Sequence, residues 1–426
     1  MTSRPDYELT EVGEIPAEWH VRPLSDLITR LENGLNYKQT SNKEGIPITR
    51  IETISAETID AERIGLVNGL SDDEVRSRKL HVGDILFSHI NSVEHIGKTA
   101  IYRGEPPVLI HGMNLLLIRP NTERVSPLFL IYYLKYGTTR NRFKSLAKKA
   151  VNQASINTAE LRTFKLPVPS LAEQDRISSI LSAVDDAIHK TDEIIAKTQQ
   201  LKKGLMQQLL TKGIGHDEFG STDIGTMPRE WEIKHVGEVV NVIDYRGRTP
   251  EFSVSGIPHL RSNNIREGRI VFEDLKYVSE KTYREFMSRG IPGIGDIIFT
   301  TEGPLGEVAL VPEDFRFSMA QRLVVLQPNK EVLSTEFLKY ILQDPRIRKE
   351  YYSLATGSTI RGVSSARFKR TRIYIAPLHE QQRISSILLS VDQNLEKERR
   401  VRLCLERLKK GLMQVLLTGR VRVKVD

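Results

Sequence analysis

From residue 173 to residue 211 the chain reads EQDRISSILSAVDDAIHKTDEIIAKTQQLKKGLMQQLLT, a stretch of 39 residues that contains no proline. Apolar side chains recur in it at intervals of three and four residues, which is the spacing of one face of an α-helix. Pro169 stands just before the stretch, as expected where a helix begins. The stretch therefore predicts one continuous helix, about 58 Å long at 1.5 Å per residue.

The apolar face of this helix follows a heptad pattern. Its two seam rows are Ile177, Val184, Thr191, Thr198 and Leu205, and Ile180, Ala187, Ile194 and Leu201; a flanking row holds Leu181, Ile188, Ile195 and Leu209. One stripe of this kind is typical of an ordinary helix that packs on its own domain. A face this long favours a long partner helix instead.

Residues 380–418 form a second stretch of the same length and composition, which follows Pro377. Its apolar rows are Ile384, Leu388, Val391, Leu395, Leu405, Leu412 and Leu416. Since each stretch follows its own globular segment, antiparallel pairing of the two helices predicts a pseudo-two-fold molecule with one domain at each end. Polar residues at the seam would fix the register of that pairing; they are Thr191, Thr198, Asn394 and Glu398.

The duplication extends over nearly the whole chain. Its only two tryptophans lie in matching segments, Gly13-Glu-Ile-Pro-Ala-Glu-Trp19 and Gly225-Thr-Met-Pro-Arg-Glu-Trp231. Further matches pair 45–50 with 256–261, 83–87 with 295–299, 174–181 with 381–388, and 202–207 with 409–414. The spacing falls from 212 to 207 residues along the chain, so the second copy is slightly shorter. A repeat of this kind fixes the architecture more firmly than local propensities do.

Outside the helices, each copy mixes short apolar runs, such as 115–118 and 323–326, with glycine and proline punctuation. This pattern indicates short strands interleaved with helices. We predict the α/β class, with two mixed α/β globular domains separated by two long antiparallel coiled-coil helices and related by a pseudo-two-fold internal repeat. The predicted segments are 1–168 for the first domain, 169–215 for its helix, 216–376 for the second domain and 377–426 for its helix.

Composition limits the function classes. The 62 Lys and Arg exceed the 54 Asp and Glu, so a formal net charge of +8 permits a polyanionic partner without requiring one. Cys404 is the only cysteine, which excludes disulfides within the chain and favours a reducing cytoplasm. Residues 1–6 lack the apolar stretch of a signal peptide, and the longest Leu/Ile run, 115–118, is too short to span a membrane. We therefore predict a cytoplasmic protein without membrane contact.

A search for catalytic motifs does not support an enzyme. Gly97-Lys98-Thr99 resembles the end of a phosphate-binding loop, but Ser92 stands where that loop needs glycine. Gly83-Asp84 and Gly295-Asp296 lack the Glu-x-Lys of a nuclease and are typical of turns. Four histidines lie close in sequence without the spacing of helical metal ligands; they are His81, His89, His95 and His111. We predict no catalytic residues, no metal site and no cofactor in this chain.

Polar loops recur in both copies and differ between them. Arg, Asn and Gln side chains match the edges of guanine and adenine in the major groove, while Lys, Ser and Thr suit phosphates. A single such residue is typical of a solvated loop, but the set as a whole favours a protein that reads double-stranded DNA. The candidate DNA-contacting residues are Tyr37, Lys38, Arg50, Ser88, His89, Asn91, Lys98, Asn152, Gln153, Tyr245, Arg246, Arg248, Arg261, Asn263, Asn264, Thr300, Thr301, Glu302, Thr359 and Arg361.

In its ordered and duplicated motifs the chain resembles the specificity subunits of type I restriction-modification enzymes. The motifs are Val12-Gly-Glu-Ile-Pro-Ala-Glu-Trp19 with Ile224-Gly-Thr-Met-Pro-Arg-Glu-Trp231, the two Gly-Asp-Ile-(Leu/Ile)-Phe segments, and the helix starts Glu173-Gln-Asp-Arg-Ile177 and Glu380-Gln-Gln-Arg-Ile384. Departures are slight: Met227 replaces the Ile15 of the first copy, and Gly357-Ser-Thr matches Lys149-Ala-Val only loosely.

The resemblance implies that each globular part is a target recognition domain and that the helices are a spacer setting the gap between two half-sites of a split DNA sequence. It also implies partners: modification subunits that bind S-adenosylmethionine, and restriction subunits that use ATP and Mg²⁺. Two alternatives remain at this point. The chain could be the recognition region of a methyltransferase with its own cofactor site, or a scaffold that binds proteins and not DNA.

Overall fold

The computed structural model describes residues 6–38, 40, 44–150, 153–245, 249–313 and 315–424, without the side chains of 149 and 150. The chain divides into two compact units. Unit 1 comprises Met1–Asp192 and Arg400–Asp426, and unit 2 comprises Glu193–Arg399. Each unit thus contains one globular domain together with parts of both long helices.

Unit 1 carries thirteen described strands before the first long helix: β1 Tyr7–Thr10, β2 Gly13–Pro16, β3 His20–Pro23, β4 Ile28–Asn33, β5 Ile46–Ile48, β6 Gly65–Val67, β7 Ile85–Phe87, β8 Ile90–Asn91, β9 Thr99–Ile101, β10 Leu116–Pro120, β11 Lys148–Ala150, β12 Gln153–Ser155 and β13 Lys165–Val168. Its helices are α1 Asp72–Arg78, α2 Pro127–Lys135, α3 Gly137–Leu146, α4 Thr158–Arg162 and the start of α5 Leu171–Lys212, with 3-10 turns at Leu24–Leu27, Ile51–Ile54 and Ala61–Arg63.

Unit 2 repeats this plan. Its strands are β14 Phe219–Thr222, β15 Gly225–Pro228, β16 Glu232–His235, β17 Val240–Asp244, β18 Ile257–Leu260, β19 Ile265–Arg266, β20 Arg269–Ile270, β21 Lys276–Val278, β22 Ile297–Thr301, β23 Leu305–Leu310, β24 Ser318–Met319, β25 Leu323–Pro328 and β26 Arg372–Ile375. Its helices are α6 Val236–Val239, α7 Glu280–Phe286, α8 Thr335–Ile341, α9 Pro345–Ser353, α10 Ser365–Phe368 and the start of α11 Leu378–Leu416, with a 3-10 turn at Ser262–Asn264.

The largest sheet of each unit is antiparallel and has four strands, in the order β4-β10-β7-β9 in unit 1 and β17-β25-β22-β23 in unit 2. Both faces of these sheets are covered. In unit 1, Ile85 and Phe87 belong to one apolar cluster, while Leu86 between them belongs to another. Because alternate side chains of a strand point to opposite faces, a sheet buried on both sides needs uninterrupted apolar runs. This explains the runs at 115–118 and 323–326, and it confirms the predicted α/β class.

The two long helices begin and end within two residues of the predicted limits. Within unit 1, Asp185 pairs with Lys409 and Asp192 pairs with Arg402, so seven residues forward on α5 correspond to seven residues back on α11. Within unit 2, Lys202 pairs with Asp392 in the same register. The helices therefore run antiparallel in both units, as predicted.

Part of the predicted seam is wrong. Ile177, Leu181 and Val184 are buried, but Ile194 is 47 % and Leu201 56 % exposed. An α-helix has 3.6 residues per turn, so a row repeating every seven residues drifts by about 20° per heptad around the helix. Over the three heptads from the start of the row this drift carries Ile194 and Leu201 out of the contact. The described part of the chain has no helix long and apolar enough to span a membrane.

A set of buried polar contacts fastens each domain to its own long helix. The Nε1 of Trp19 donates to Glu173 (3.1 Å), and the Nε1 of Trp231 donates to Glu380 (3.0 Å). The next residue, Gln174, accepts from the backbone N of Ser126 (2.7 Å), and the side chain of Gln174 donates to the backbone oxygen of Pro169 (2.9 Å). These contacts explain the duplicated Trp and Glu-Gln motifs, because an unpaired polar group buried at this point would destabilise the unit.

The equivalent glutamine of unit 2 makes the same contacts. Gln381 accepts from the backbone N of Ser334 (2.8 Å) and donates to the backbone oxygens of Val332 (2.8 Å) and Ala376 (2.7 Å). The two glutamines are fully buried. Each long helix is therefore anchored to its domain from its first turn.

A third contact repeats farther along each helix. Tyr132 donates to Asp185 in unit 1, and Tyr340 donates to Asp392 in unit 2, both at 2.8 Å. Since these aspartates also pair with Lys409 and Lys202, each one joins a domain helix to both long helices. The domain and its pair of helix segments thus form one packed body in each unit.

Candidate nucleic-acid interface

In unit 2 a tight turn follows β18 and presents Arg261, Asn263 and Asn264. The backbone N of Arg261 donates to the side chain of Asn264 (3.0 Å), whose Nδ2 donates to the backbone oxygens of Val271 (3.1 Å) and Glu273 (3.0 Å). Asn264 is buried, and its polar atoms hold the turn closed. The turn therefore has a fixed backbone, with the half-buried Arg261 and Asn263 at its surface.

A second polar segment, 300–303, lies beside this turn. The Oγ of Ser262 donates to the backbone oxygen of Gly303 at 2.8 Å. Thr300 and Thr301 are buried: Thr300 accepts from the backbone N of Glu307 (2.8 Å), and Thr301 donates to the backbone oxygen of Arg322 (3.1 Å). The two threonines thus hold the end of β22, while Glu302 remains partly exposed.

A hairpin, 356–362, adds a third segment. Thr356 and Gly362 exchange backbone hydrogen bonds of 2.9 Å in both directions and so close the loop that carries the exposed Thr359 and Arg361. The backbone N of Val363 donates to the oxygen of Thr301 at 3.0 Å, which ties the hairpin to the second segment. We call residues 261–264, 300–303, 322 and 356–362 cluster 2.

Unit 1 builds a similar group, which we call cluster 1: residues 37, 49–55, 88–91, 98, 148–150 and 153–155. Here β12 pairs with β8, placing Ala154 opposite Asn91, and the backbone N of Ile156 donates to the oxygen of His89 at 2.9 Å. Asn91 donates to the buried Ser88 at 3.1 Å. The hairpin of β11 and β12 thus meets the segment after β7, as its counterpart does in unit 2.

Lys98 links the 49–55 segment to the rest of cluster 1, and Arg50 begins the turn of that segment. The Nζ of Lys98 donates to the backbone oxygen of Ser55 at 2.6 Å. Arg50 starts a 3-10 turn in which its backbone N donates to Thr53 (2.9 Å), the same arrangement as Arg261 with Asn264. The hydroxyl of Tyr37 donates to the oxygen of Thr49 at 3.4 Å. Segments that are distant in the sequence are therefore neighbours in this cluster.

Two of the buried candidates, His89 and Tyr245, have pKa values shifted by burial. Burial lowers the pKa of His89 to about 4, with a further contribution from His111, so His89 is neutral at pH 7. Burial, with a smaller contribution from Tyr283, raises the pKa of Tyr245 to about 12, and the Tyr245 ring stacks on Phe286. Their polar atoms Nδ1 and OH have no hydrogen-bond partner among the described residues.

The candidate residues differ in their exposure to solvent. Their contact with DNA stays a prediction. The exposed ones are Lys38, Gln153, Thr359 and Arg361; Tyr37, Arg50, Asn91, Lys98, Arg261, Asn263 and Glu302 are partly exposed; Ser88, His89, Tyr245, Asn264, Thr300 and Thr301 are buried. Asn152, Arg246 and Arg248 lie outside the described residues. The partly exposed and exposed candidates, fixed on a hydrogen-bonded backbone, are the ones able to meet a ligand.

Sequence reasoning missed Arg322, which contacts two of the segments in cluster 2. Its Nη2 lies 3.1 Å from Glu302, and its backbone oxygen accepts from the N of Thr301 at 2.9 Å. The only sequence signal was its position, directly before the apolar run 323–326. Among the described residues there is no group of three or more His, Cys, Asp or Glu side chains arranged to hold a metal ion.

The sequence matches the family described as type I restriction modification DNA specificity domain, over residues 16–199 and again over 228–404. A specificity subunit of the type I restriction enzyme MjaX from Methanocaldococcus jannaschii is 37 % identical over 98 % of this chain and 97 % of its own length. The EcoKI specificity subunit from Escherichia coli is 22 % identical over 87 % of this chain and 82 % of its own.

Solved structures share the fold. The S subunit of the type I restriction-modification system from M. genitalium superposes with a TM-score of 0.59 at 14 % identity, over 97 % of this chain and 98 % of that one. A chain from a structure on complex assembly and conformational transition of the type I R-M system gives 0.54 at 18 % identity, over 96 % and 99 %. With its two domain matches and its full-length relative, this chain belongs to the family of type I restriction modification DNA specificity subunits.

Proposed function

We propose that the chain directs a type I restriction-modification complex to a bipartite double-stranded DNA sequence, with one recognition domain for each half-site. The observation that carries this proposal is duplication with local divergence. The anchors Trp-Glu, Gln and Tyr-Asp repeat in both units, whereas the polar clusters keep a similar layout but carry different side chains. Two domains that share a framework and differ at their ligand-facing positions suit the recognition of two different sequences.

The chemistry of the clusters favours DNA over a protein ligand. Arginine, asparagine and lysine side chains sit on backbone segments that are already hydrogen-bonded to one another, so few conformations need to be lost on binding. Such side chains match base edges and phosphates. The formal net charge of +8 adds a favourable long-range attraction to a polyanion.

The chain itself performs no catalysis in this proposal. Modification subunits carrying S-adenosylmethionine and restriction subunits using ATP and Mg²⁺ supply the chemistry, and the long helices provide the surface on which they assemble. All of this takes place in the cytoplasm. The specificity subunit contributes the choice of site, and its partners contribute the reactions.

A domain exchange tests the proposal. Replacing residues 226–376 by the matching segment of another specificity subunit, in a host that also expresses the modification subunits, should change one half-site and leave the other intact. The sites would be mapped by sequencing methylated bases in the host DNA. A change in both half-sites, or methylation that follows no defined sequence, would reject the assignment of one domain to each half-site.

Two titrations separate the alternatives. If phosphates are bound, the logarithm of DNA affinity falls linearly with the logarithm of salt concentration, with a slope of about −0.9 per neutralised phosphate. A protein-binding scaffold would show no such slope. Calorimetric titration of the isolated chain with S-adenosylmethionine tests for a cofactor site in the chain itself, and tight binding without modification subunits would contradict the proposed division of labour.

A further inference from the structure

Arg322 is hydrogen-bonded at its backbone and exposed at its side chain. It stands directly before β25, an inner strand of the four-stranded sheet of unit 2. Its backbone oxygen accepts from both the N (2.9 Å) and the Oγ1 (3.1 Å) of Thr301. Its side chain is 45 % exposed. The side chain therefore projects from a rigid base, as a residue that discriminates between ligands must.

Glu302 and Gly303 determine where the guanidinium lies. One carboxylate oxygen of Glu302 contacts Nη2 at 3.1 Å, and a Cβ built on Gly303 would lie only 3.3 Å from Nη1. The backbone oxygen of Gly303 also accepts from Ser262. The same Cβ would lie 3.9 Å from the side chain of Ile360 in the hairpin. The guanidinium thus occupies the space where the three segments of cluster 2 meet.

This ion pair is poorly explained as a stabilising contact. Pairs between exposed side chains contribute little to the free energy of unfolding. A guanidinium has five N–H donors in a rigid fork, and the contact with Glu302 engages one side of it. The remaining donors point to a ligand that accepts two parallel hydrogen bonds, and guanine presents such a pair through O6 and N7 in the major groove.

We propose that Arg322 is a specificity-determining residue of the second recognition domain, which reads a guanine in its half-site, and that Glu302 positions it. This inference rests on the proposed DNA-reading function. In the first copy the equivalent position, directly before the run 115–118, is Asn114. An amide matches adenine and a guanidinium matches guanine, so the same place in the fold offers a different preference in each domain.

The experiment uses the full chain assembled with its modification subunits, after the bipartite site of the unaltered protein has been mapped. Arg322→Ala and Arg322→Lys are compared by competition binding against every single-base variant of that site. Both variants should lower discrimination at one G·C position of one half-site by about 10- to 100-fold, and leave the other half-site unchanged. Lysine keeps the charge but lacks the fork, so Arg322→Lys separates base reading from phosphate contact.

Arg316 provides a matched control in the same unit. It is also partly exposed and paired with an acid, since two of its nitrogens lie 2.9 Å from Glu280, but it packs over the ring of Tyr283 and outside cluster 2. Arg316→Ala should leave base preference unchanged. Glu302→Gln should weaken discrimination at the same position as Arg322→Ala, but by about 10-fold or less, because the fork stays and loses only its orienting partner.

Three outcomes would overturn the inference: wild-type preference in Arg322→Ala, preserved preference in Arg322→Lys, or an equal loss over all positions. The last two identify a phosphate contact. These results are distinct from failure of the proposed function, in which the unaltered complex marks no defined bipartite sequence. Circular dichroism and assembly with the modification subunits check that each variant is folded.

Discussion

Units 1 and 2 share the contacts that join each domain to its long helix, but they differ in the side chains of their polar loops. In both, an anchoring Glu binds a Trp and the following Gln binds backbone groups of its domain. At an equivalent loop, however, Lys98 of unit 1 donates to a backbone oxygen, whereas Glu307 of unit 2 accepts from the backbone N of Glu267 at 2.9 Å. A cationic side chain makes this loop contact in unit 1, and an anionic side chain makes it in unit 2. The fold therefore tolerates changes in these loops while the anchors stay constant.

We expect the largest loss of stability in either unit when its buried glutamine, Gln174 or Gln381, is replaced. Gln174→Ala removes the partner of the Ser126 N and of the Arg124 and Pro169 oxygens, and Gln381→Ala likewise frees three partly or fully buried backbone groups. Each change also opens a cavity, so each should lower the free energy of unfolding of its unit by about 3–5 kcal/mol. If the anchors are equivalent, the two losses agree within about 1 kcal/mol. Hydrogen exchange with mass spectrometry measures each unit separately. The exposed Gln207 and Gln414, at equivalent places on the helices, are the controls; losses that differ several-fold between units would contradict the equivalence.

The equivalent aspartates Asp185 and Asp392 should contribute unequally to the stability of their units, because their surroundings differ. Asp392 faces two lysines, Lys202 and the buried Lys339, whereas Asp185 pairs with Lys409 at a more exposed site. Removing one partner of a buried ion pair leaves an uncompensated charge. We expect Asp392→Asn to destabilise unit 2 by about 3 kcal/mol, and Asp185→Asn to destabilise unit 1 by about 1 kcal/mol. Equal losses would show that Lys339 adds nothing.

The loss in Asp392→Asn should also depend on pH. Burial raises the pKa of Asp392, but Lys339 and Lys202 lower it more, so the folded pKa lies below the usual value. A carboxylate with a lowered pKa stabilises the fold above its unfolded pKa, and this contribution disappears as the pH falls through the folded value. The difference between wild type and Asp392→Asn should therefore be constant from pH 7 to pH 5 and shrink below about pH 4. A difference that grows on acidification would refute this.

Buried histidines should make the stability of the two units depend differently on pH under mildly acidic conditions. Burial lowers the pKa of His89 and of His111 in unit 1, whereas in unit 2 burial, with Arg261 and Lys276, lowers the pKa of His259. The unfolded chain binds protons below about pH 6.5. The folded units bind them only at lower pH, near pH 4 for His89 and His259, so stability decreases as the pH is lowered through this window. Each such histidine costs up to about 1.4 kcal/mol per pH unit.

Unit 1 should therefore lose stability more steeply than unit 2 between pH 6.5 and pH 5. Hydrogen exchange corrected for the intrinsic pH dependence of amide exchange gives both slopes. His111→Gln, which removes one buried imidazole, should bring the slope of unit 1 close to that of unit 2. The exposed His81→Gln is the control. Parallel slopes in the unaltered protein would contradict the assignment of two neutral histidines to unit 1.

Much of the fold was predictable because it repeats. The matched blocks around Trp19 and Trp231 and the paired proline-free stretches predicted two domains and two antiparallel helices. The seam at Ile194 and Leu201 was wrong because a strict heptad row ignores the drift of a real helix. The clusters were predicted as polar loops, but not as assemblies. Arg322 escaped notice because its neighbours Glu302 and Gly303 approach it through strand pairing, and the distance along the chain conceals this.

The smallest expected effect concerns the segments that follow the two long helices. Gly419 adopts a φ of +67° after α11, and Arg422 then binds Glu173 at 2.8 and 3.1 Å; Gly213 adopts +63° after α5, and His216 binds Glu380 at 3.0 Å. Glu380 also accepts from the backbone N of Ile214 at 2.8 Å. Arg422→Ala leaves the buried Glu173 with Trp19 alone, and should cost unit 1 about 1–2 kcal/mol.

His216→Ala should cost unit 2 less, about 1 kcal/mol or below, because Glu380 keeps two donors, Trp231 and the backbone of Ile214. The exposed Arg420→Ala, two residues from Arg422, controls for loss of positive charge near the end of α11. The measurement is again the exchange stability of each unit at pH 7. If His216→Ala proves the more costly change, the backbone amide of Ile214 cannot be the compensating donor, and the two closing segments hold their carboxylates by different means.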